Sequence, residues 1–163
     1  FVLFSSRIIA VNYSHDLSVY ISNFRRFGTW PVAVLTEDKK RYLLEGPVCN
    51  GSQIIGWHTD RSKSSRRFHI EMSGFAFNST ILWDPKRWHR PTIDLIRHQD
   101  SAREGFKESK FVEQLVEDES QMEGLAHNCS RILVWHLHFE ANELLYPNGW
   151  LNQRNLEALI PLL

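Results

Sequence analysis

Gly56–Asn78 reads GWHTDRSKSSRRFHIEMSGFAFN. Two apolar segments, ending at Trp57 and beginning at Phe68, flank a loop dense in Arg, Lys and Ser. The second carries an acid, Glu71, just ahead of Gly74, which sits among bulky residues. A polar loop held between rigid strands is where binding chemistry usually sits. Gly74 predicts a place where two backbones approach closely.

Outward from this run, the chain reads as strands mixed with short helices. Thr29–Leu35 (TWPVAVL) predicts one buried strand opened by Pro31. Lys39–Leu44 predicts a strand closed by a Gly46-Pro47 turn, and Gln53–Trp57 another strand. Phe68–Phe77 returns to strand character. Val19–Phe27 suits a short helix ended by Gly28, and Ser79–Trp83 a helix or turn stopped by Asp84-Pro85. Residues 89–103 read as loop. Phe106–Glu119 is the clearest helix, with Phe111, Val112, Leu115 and Val116 as its apolar stripe. Ile132–Phe139 is the clearest strand, placing Leu133, Trp135, Leu137 and Phe139 on one face and Ile132, Val134, His136 and His138 on the other. Asn155–Leu163 suits a short terminal helix. The pattern predicts a three-layer α/β domain.

The 163 residues suffice for one domain with a real core, rich in aromatics at six Trp and ten Phe. Nineteen basic residues balance nineteen acidic ones. That balance excludes a nucleic-acid binder driven by bulk charge, although Arg61–Arg67 is a local basic patch. Cys49 and Cys129 form no CxxC motif, which removes a zinc ribbon or thioredoxin-like site. They are either two buried thiols or one disulfide. Four N-x-[ST] sequons, at Asn12, Asn50, Asn78 and Asn128, favour a secretory-pathway lumen, where a disulfide persists. The first residue is Phe, and Phe1–Val11 is too short to span a bilayer, so the chain reads as a fragment with a membrane anchor expected upstream.

Candidate chemistry rests on a few side chains, each with a plainer rival. Glu108, in or near the first turn of the predicted Phe106–Glu119 helix beside Gly105, is placed to accept a proton from a bound hydroxyl. An acid there also simply complements the helix macrodipole, which is the simpler reading on spacing alone. Glu45 and Glu71 lie beside glycine-containing strand ends and suit sugar hydroxyls, or are solvated acids. Arg66 and Arg67 suit a carboxylate or phosphate, or line a solvated loop. His136 and His138 share a strand face but lack a third metal ligand, so a dedicated histidine metal site is not expected. Phosphate-binding glycine loops, a zinc-protease HExxH and a GxSxG nucleophile are all missing, as is a D-x-D acidic pair.

Five blocks resemble the glycosyltransferase family 43 enzymes in order: GTWPVAVL (Gly28–Leu35), LLEGPVCNGSQIIGWHT (Leu43–Thr59), RRFHIEMSGFAFNSTILWDPKRW (Arg66–Trp88), EGFKESKFVEQLVEDES (Glu104–Ser120) and NCSRILVWHLHFE (Asn128–Glu140). The details are most similar to the plant irregular-xylem branch, and the resemblance runs from Asp16 to Glu140. It implies a GT-A-like nucleotide-diphospho-sugar transferase fold, α/β and truncated to its acceptor-binding half. The expected organisation is a partial transferase domain over 1–140 and a C-terminal tail over 141–163.

The function implied is inverting transfer of xylose from UDP-xylose to a xylan acceptor in backbone synthesis of the plant cell wall. Carried over, Glu108 is the catalytic base, Glu45, Arg66 and Glu71 are acceptor contacts, and His136 reaches the donor diphosphate. Glu71 stands where animal members use Asp. Mn²⁺ is expected for the family, but its acidic motif is not present: the corresponding stretch, RIIAVNYSHDL, holds Asp16 alone, which aligns after the motif. No metal ligand is therefore assigned. Further expectations are a Golgi membrane location on the lumenal side through an upstream anchor, a UDP-sugar donor, a xylan acceptor, partner subunits of a xylan synthase, and no nucleic acid. The alternatives are a non-catalytic subunit of such a complex and a carbohydrate-binding fragment using Trp57, Trp83 or Trp88.

Overall fold

The computed structural model describes residues 9–11, 25–35, 42–58, 65–96, 106–132 and 134–136. These form a mixed α/β fold with two sheets. The larger is ordered β1 (Ile9–Val11), β8 (Val134–His136), β3 (Val32–Leu35), β4 (Tyr42–Asn50), β5 (Gln53–His58). The smaller is β6 (Phe75–Phe77), β2 (Phe27–Thr29), β7 (Glu123–Gly124). The helices are α1 (Thr80–Trp83) and α2 (Lys107–Val112), with a 3₁₀ turn at Glu119–Gln121.

The expected single strand over Thr29–Leu35 is two strands in different sheets. β2 ends at Thr29 and β3 starts at Val32, so Trp30-Pro31 is a crossover between sheets. Pro31 has no N–H to give a ladder, and the Trp30 N–H donates to Gly74 O at 3.0 Å, in line with the β2–β6 pairing before it. Phe27 and Gly28 are strand, not the end of a helix.

Gly46-Pro47 is not a turn either. β4 runs straight through it and changes partner there: Tyr42–Glu45 pair with β3, and Gly46–Asn50 pair with β5. The β3 pairing ends at Glu45, so Pro47 takes no bond away from that ladder. Gly46 takes φ +129°, and a Cβ there would fall 2.8 Å from Pro31 Cα and 2.9 Å from Trp30 O. Glycine is required at that crossing.

The strand expected over Phe68–Phe77 shrinks to Phe75–Phe77, and residues 68–74 form a buried loop. β6 alternates cleanly. Phe75 and Phe77 join Phe27, Phe111, Val112, Leu115 and Val116 in an aromatic-rich core, while Ala76 faces a second cluster of Trp30, Val32, Ala126 and Val134. Phe27 stacks on Phe75 at 5.5 Å between centroids. The helix expected over Phe106–Glu119 stops at Val112, yet its whole apolar stripe is buried. Tertiary packing holds the stripe after the helical ladder ends, through turns such as Leu115 N to Val112 O at 2.9 Å.

Cys49 on β4 and Cys129 are joined in a disulfide. Cys129 closes a helical turn, Ala126–Cys129, that is left-handed throughout, with φ of +60°, +52°, +57° and +60°. Such a turn costs L-residues roughly 1–2 kcal/mol each, so the crosslink and the burial of Ala126 hold it in place. Most of the helix expected over Val19–Phe27 lies outside the described residues, as do Asp16, Gly105, His138, the terminal helix over Asn155–Leu163 and the 141–163 tail.

Candidate functional site

Two glycines converge on the Trp30-Pro31 crossover and bring separate acids to it. Gly46 approaches from β4 with Glu45 immediately before it. Gly74 approaches from the loop leading to β6: a Cβ there would lie 3.1 Å from Val32 Cγ2 and 3.2 Å from Trp30 O. Gly74 O accepts from the Trp30 N–H at 3.0 Å and from Thr29 Oγ1 at 2.8 Å. The close backbone approach expected of Gly74 is thus present, and it pins the Glu71–Gly74 turn to the junction of the sheets.

Glu45 lies opposite Val32 in the β3–β4 register. Its Oε2 accepts from Arg66 Nη2 at 2.9 Å, in a pair whose side chains are only 1 % (Arg66) and 3 % (Glu45) exposed. A charge pair so enclosed holds its geometry because neither partner is stable there alone. His69, one turn further along the same loop, is also buried, and its Nδ1 has no hydrogen-bond partner. Burial pushes the His69 imidazole below its ordinary value of 6.5, Arg66 pushes it the same way, and Glu45 partly offsets them. A neutral imidazole therefore borders the pair.

Glu71 is partly buried. Its Oε2 accepts from the Ser73 N–H at 2.7 Å and from the Ser73 hydroxyl, and its own carbonyl accepts from the Gly74 N–H at 2.8 Å. Glu108 lies in the first turn of α2, as expected, and is partly buried. The next residue, Ser109, accepts from the Phe68 N–H at 3.2 Å. That bond ties the start of α2 to the Arg66–Ile70 loop, so Glu108, Arg66 and Glu71 belong to one connected segment pair. His136 stands in β8 opposite Ile9 on one side and Val34 on the other.

Reading the residues alone missed Ser73, His69 and Ser109. Local turn signatures belong to Asp, Asn, Ser and Thr side chains, so a Glu two positions ahead of Ser73 raised no flag. Nothing periodic marks the other two. Among the described residues, no three His, Cys, Asp or Glu side chains gather as a metal site. Of the tryptophans considered as sugar platforms, Trp57 donates to Glu119 Oε1 at 3.0 Å and packs on Phe68, while Trp88 donates to Thr80 Oγ1 at 2.8 Å and lies under Arg26 and Arg87. Trp83 is 77 % exposed.

Comparison with known proteins agrees with this arrangement of blocks. The profile described as "Glycosyltransferase family 43" matches residues 10–140. The chain is 56 % identical over 151 residues to the rice (Oryza sativa subsp. japonica) protein named "Probable beta-1,4-xylosyltransferase IRX9L", covering 92 % of this chain and 34 % of that one. It is 53 % identical over 151 residues to rice "Probable glucuronosyltransferase Os10g0205300", covering 92 % and 43 %. It is 44 % identical over 131 residues to "Beta-1,4-xylosyltransferase IRX9" of Arabidopsis thaliana, covering 78 % and 35 %. The chain therefore spans between a third and a half of the length of these relatives.

Proposed function

The chain belongs to glycosyltransferase family 43, and from that membership we propose that it carries the acceptor side of an inverting xylosyltransferase of GT-A-like fold that builds the xylan backbone. The observation that carries the proposal is the convergence at the sheet junction. Gly46 and Gly74 fix Glu45 and the Glu71 turn to one crossover, Arg66 joins Glu45 from the loop between them, and Ser109 ties the α2 entry bearing Glu108 to that loop.

In this reading Glu71 orients a xylan-chain end, its carboxylate accepting from sugar hydroxyls, and the enclosed Glu45–Arg66 pair braces the loop that carries it. Glu108 takes the proton from the attacking hydroxyl. The freed oxygen bonds to the anomeric carbon of UDP-xylose, the bond to the diphosphate breaks, and the configuration inverts. UDP departs with the bonding electrons, and His136 serves the donor side. Mn²⁺ or Mg²⁺ supplies charge neutralisation to such a leaving group. The described residues hold no cluster fit for that ion, so none of them is assigned to it. The disulfide and the exposed sequon residues Asn50 and Asn128 support a Golgi-lumenal setting.

Transfer of xylose to short xylo-oligomers by the full-length protein and by Glu108→Gln tests the assignment. The variant is expected to lose about 10²–10⁴ in kcat, and equal rates would remove Glu108 as the base. A second reading, a scaffolding subunit whose partner performs transfer, is motivated by the single acid, Asp16, in Arg7–Leu17. Co-expression with partner subunits separates the two: under the scaffold reading Glu108→Gln leaves transfer by the assembled complex unchanged.

A further inference from the structure

Glu71 is held by a residue that the family resemblance does not point to. Ser73 is 2 % exposed, too enclosed to be a principal sugar contact. Yet both of its donors, the backbone N–H at 2.7 Å and the hydroxyl, go to the same Glu71 oxygen, Oε2. A glutamate side chain has three rotatable bonds, and ordering it costs roughly 1–2 kcal/mol of rotamer freedom. Two donors from one residue remove that freedom before any ligand arrives.

The turn carrying them is itself fixed. Gly74 N–H closes it onto Glu71 O at 2.8 Å, and Gly74 O receives Trp30 N–H and Thr29 Oγ1. The carboxylate is thus referenced to the crossover between the sheets through a short, nearly rigid path. We infer that Ser73 is a positioning residue for acceptor recognition: its hydroxyl sets the Glu71 carboxylate so that a β-1,4-linked xylose unit meets it preorganised. This inference rests on reading Glu71 as an acceptor contact.

Calorimetric titration of a linear xylo-oligomer into the full-length protein tests it without depending on turnover. Ser73→Ala is expected to weaken binding about tenfold, the usual worth of one hydrogen bond to a charged group. Ser73→Thr, which keeps the hydroxyl, should bind within about twofold of the parent. In a Glu71→Ala background, Ser73→Ala should add nothing, because the group it positions is gone. A purely structural serine would instead lower the melting temperature and leave affinity unchanged, which overturns the inference. An equal loss in both backgrounds, or Thr binding as weakly as Ala, overturns it too. Should Glu71→Ala itself leave affinity intact, the acceptor reading of Glu71 falls and this inference with it.

Discussion

Arg66 Nη2 meets Glu45 Oε2 at 2.9 Å with both side chains sealed from solvent, and this one contact links β4 to the loop carrying His69 and Glu71. Removing either partner takes a buried 2.9 Å charge contact from the other. Arg66→Ala or Glu45→Ala is expected to cost about 3–5 kcal/mol, whereas replacing both by apolar residues of similar volume should recover most of that. Urea unfolding of the two single variants and the double variant measures it. Additive losses would show that the two charges are not coupled.

The neutral state of His69 makes stability depend on pH. Its folded value lies below its ordinary 6.5, and His58 is lowered likewise by burial. Below that ordinary value the unfolded chain binds protons that the folded one does not, so stability falls as pH drops through the weakly acid range. His69→Gln should flatten this acid limb in melting temperatures recorded from pH 7.5 to pH 5. An unchanged slope would place the proton uptake elsewhere.

The disulfide and Gly124 should fail together. A Cβ on Gly124 would overlap Cys49 Sγ and sit 2.6 Å from Cys129 Sγ. Gly124→Ala must therefore displace the bridge. The crosslink closes a sequence separation of 80 residues, worth roughly 4–5 kcal/mol in the chain-entropy picture. Removing both cysteines is expected to cost about that much, and Gly124→Ala to keep the bridge from closing during folding, leaving thiols open to alkylation without reductant. A Gly124→Ala protein with a protected bridge and parental melting would contradict the packing.

Arg90 is 7 % exposed and spends its donors on carbonyls alone: Thr92 O at 2.6 Å, Asp94 O at 2.6 Å, and Ile81 O and Leu82 O at 3.2 Å each. It caps the end of α1 and folds residues 92–94 against it. Arg90→Lys keeps the charge but not the planar fork, and should cost about 2 kcal/mol or more. Amide exchange at residues 92–95 should rise before global unfolding. Unaltered protection there would mean the loop holds itself.

What could be read in advance follows physical lines. Burial of Phe111, Val112, Leu115 and Val116 was legible because apolar spacing reports which face is covered. The end of α2 at Val112 was not, since a buried stripe continues through turns as readily as through a helix. Pro31 does open a strand, since β3 begins just after it, but Gly46-Pro47 is no turn, because β4 runs through it. Proline announces a missing N–H, and only the neighbouring strands decide whether that means a break or a change of partner. The acceptor roles expected of Glu45 and Arg66 came from resemblance alone, whereas their pairing across 2.9 Å needed the fold. So did the union of Cys49 with Cys129, which spacing left open.

The crossover at Trp30-Pro31 has a mechanical corollary. Because Gly46 reaches it from one sheet and Gly74 from the loop entering the other, Glu45 and Glu71 take their positions from the same two residues. A substitution that displaced Trp30-Pro31 would move both acids at once while leaving their own side chains intact.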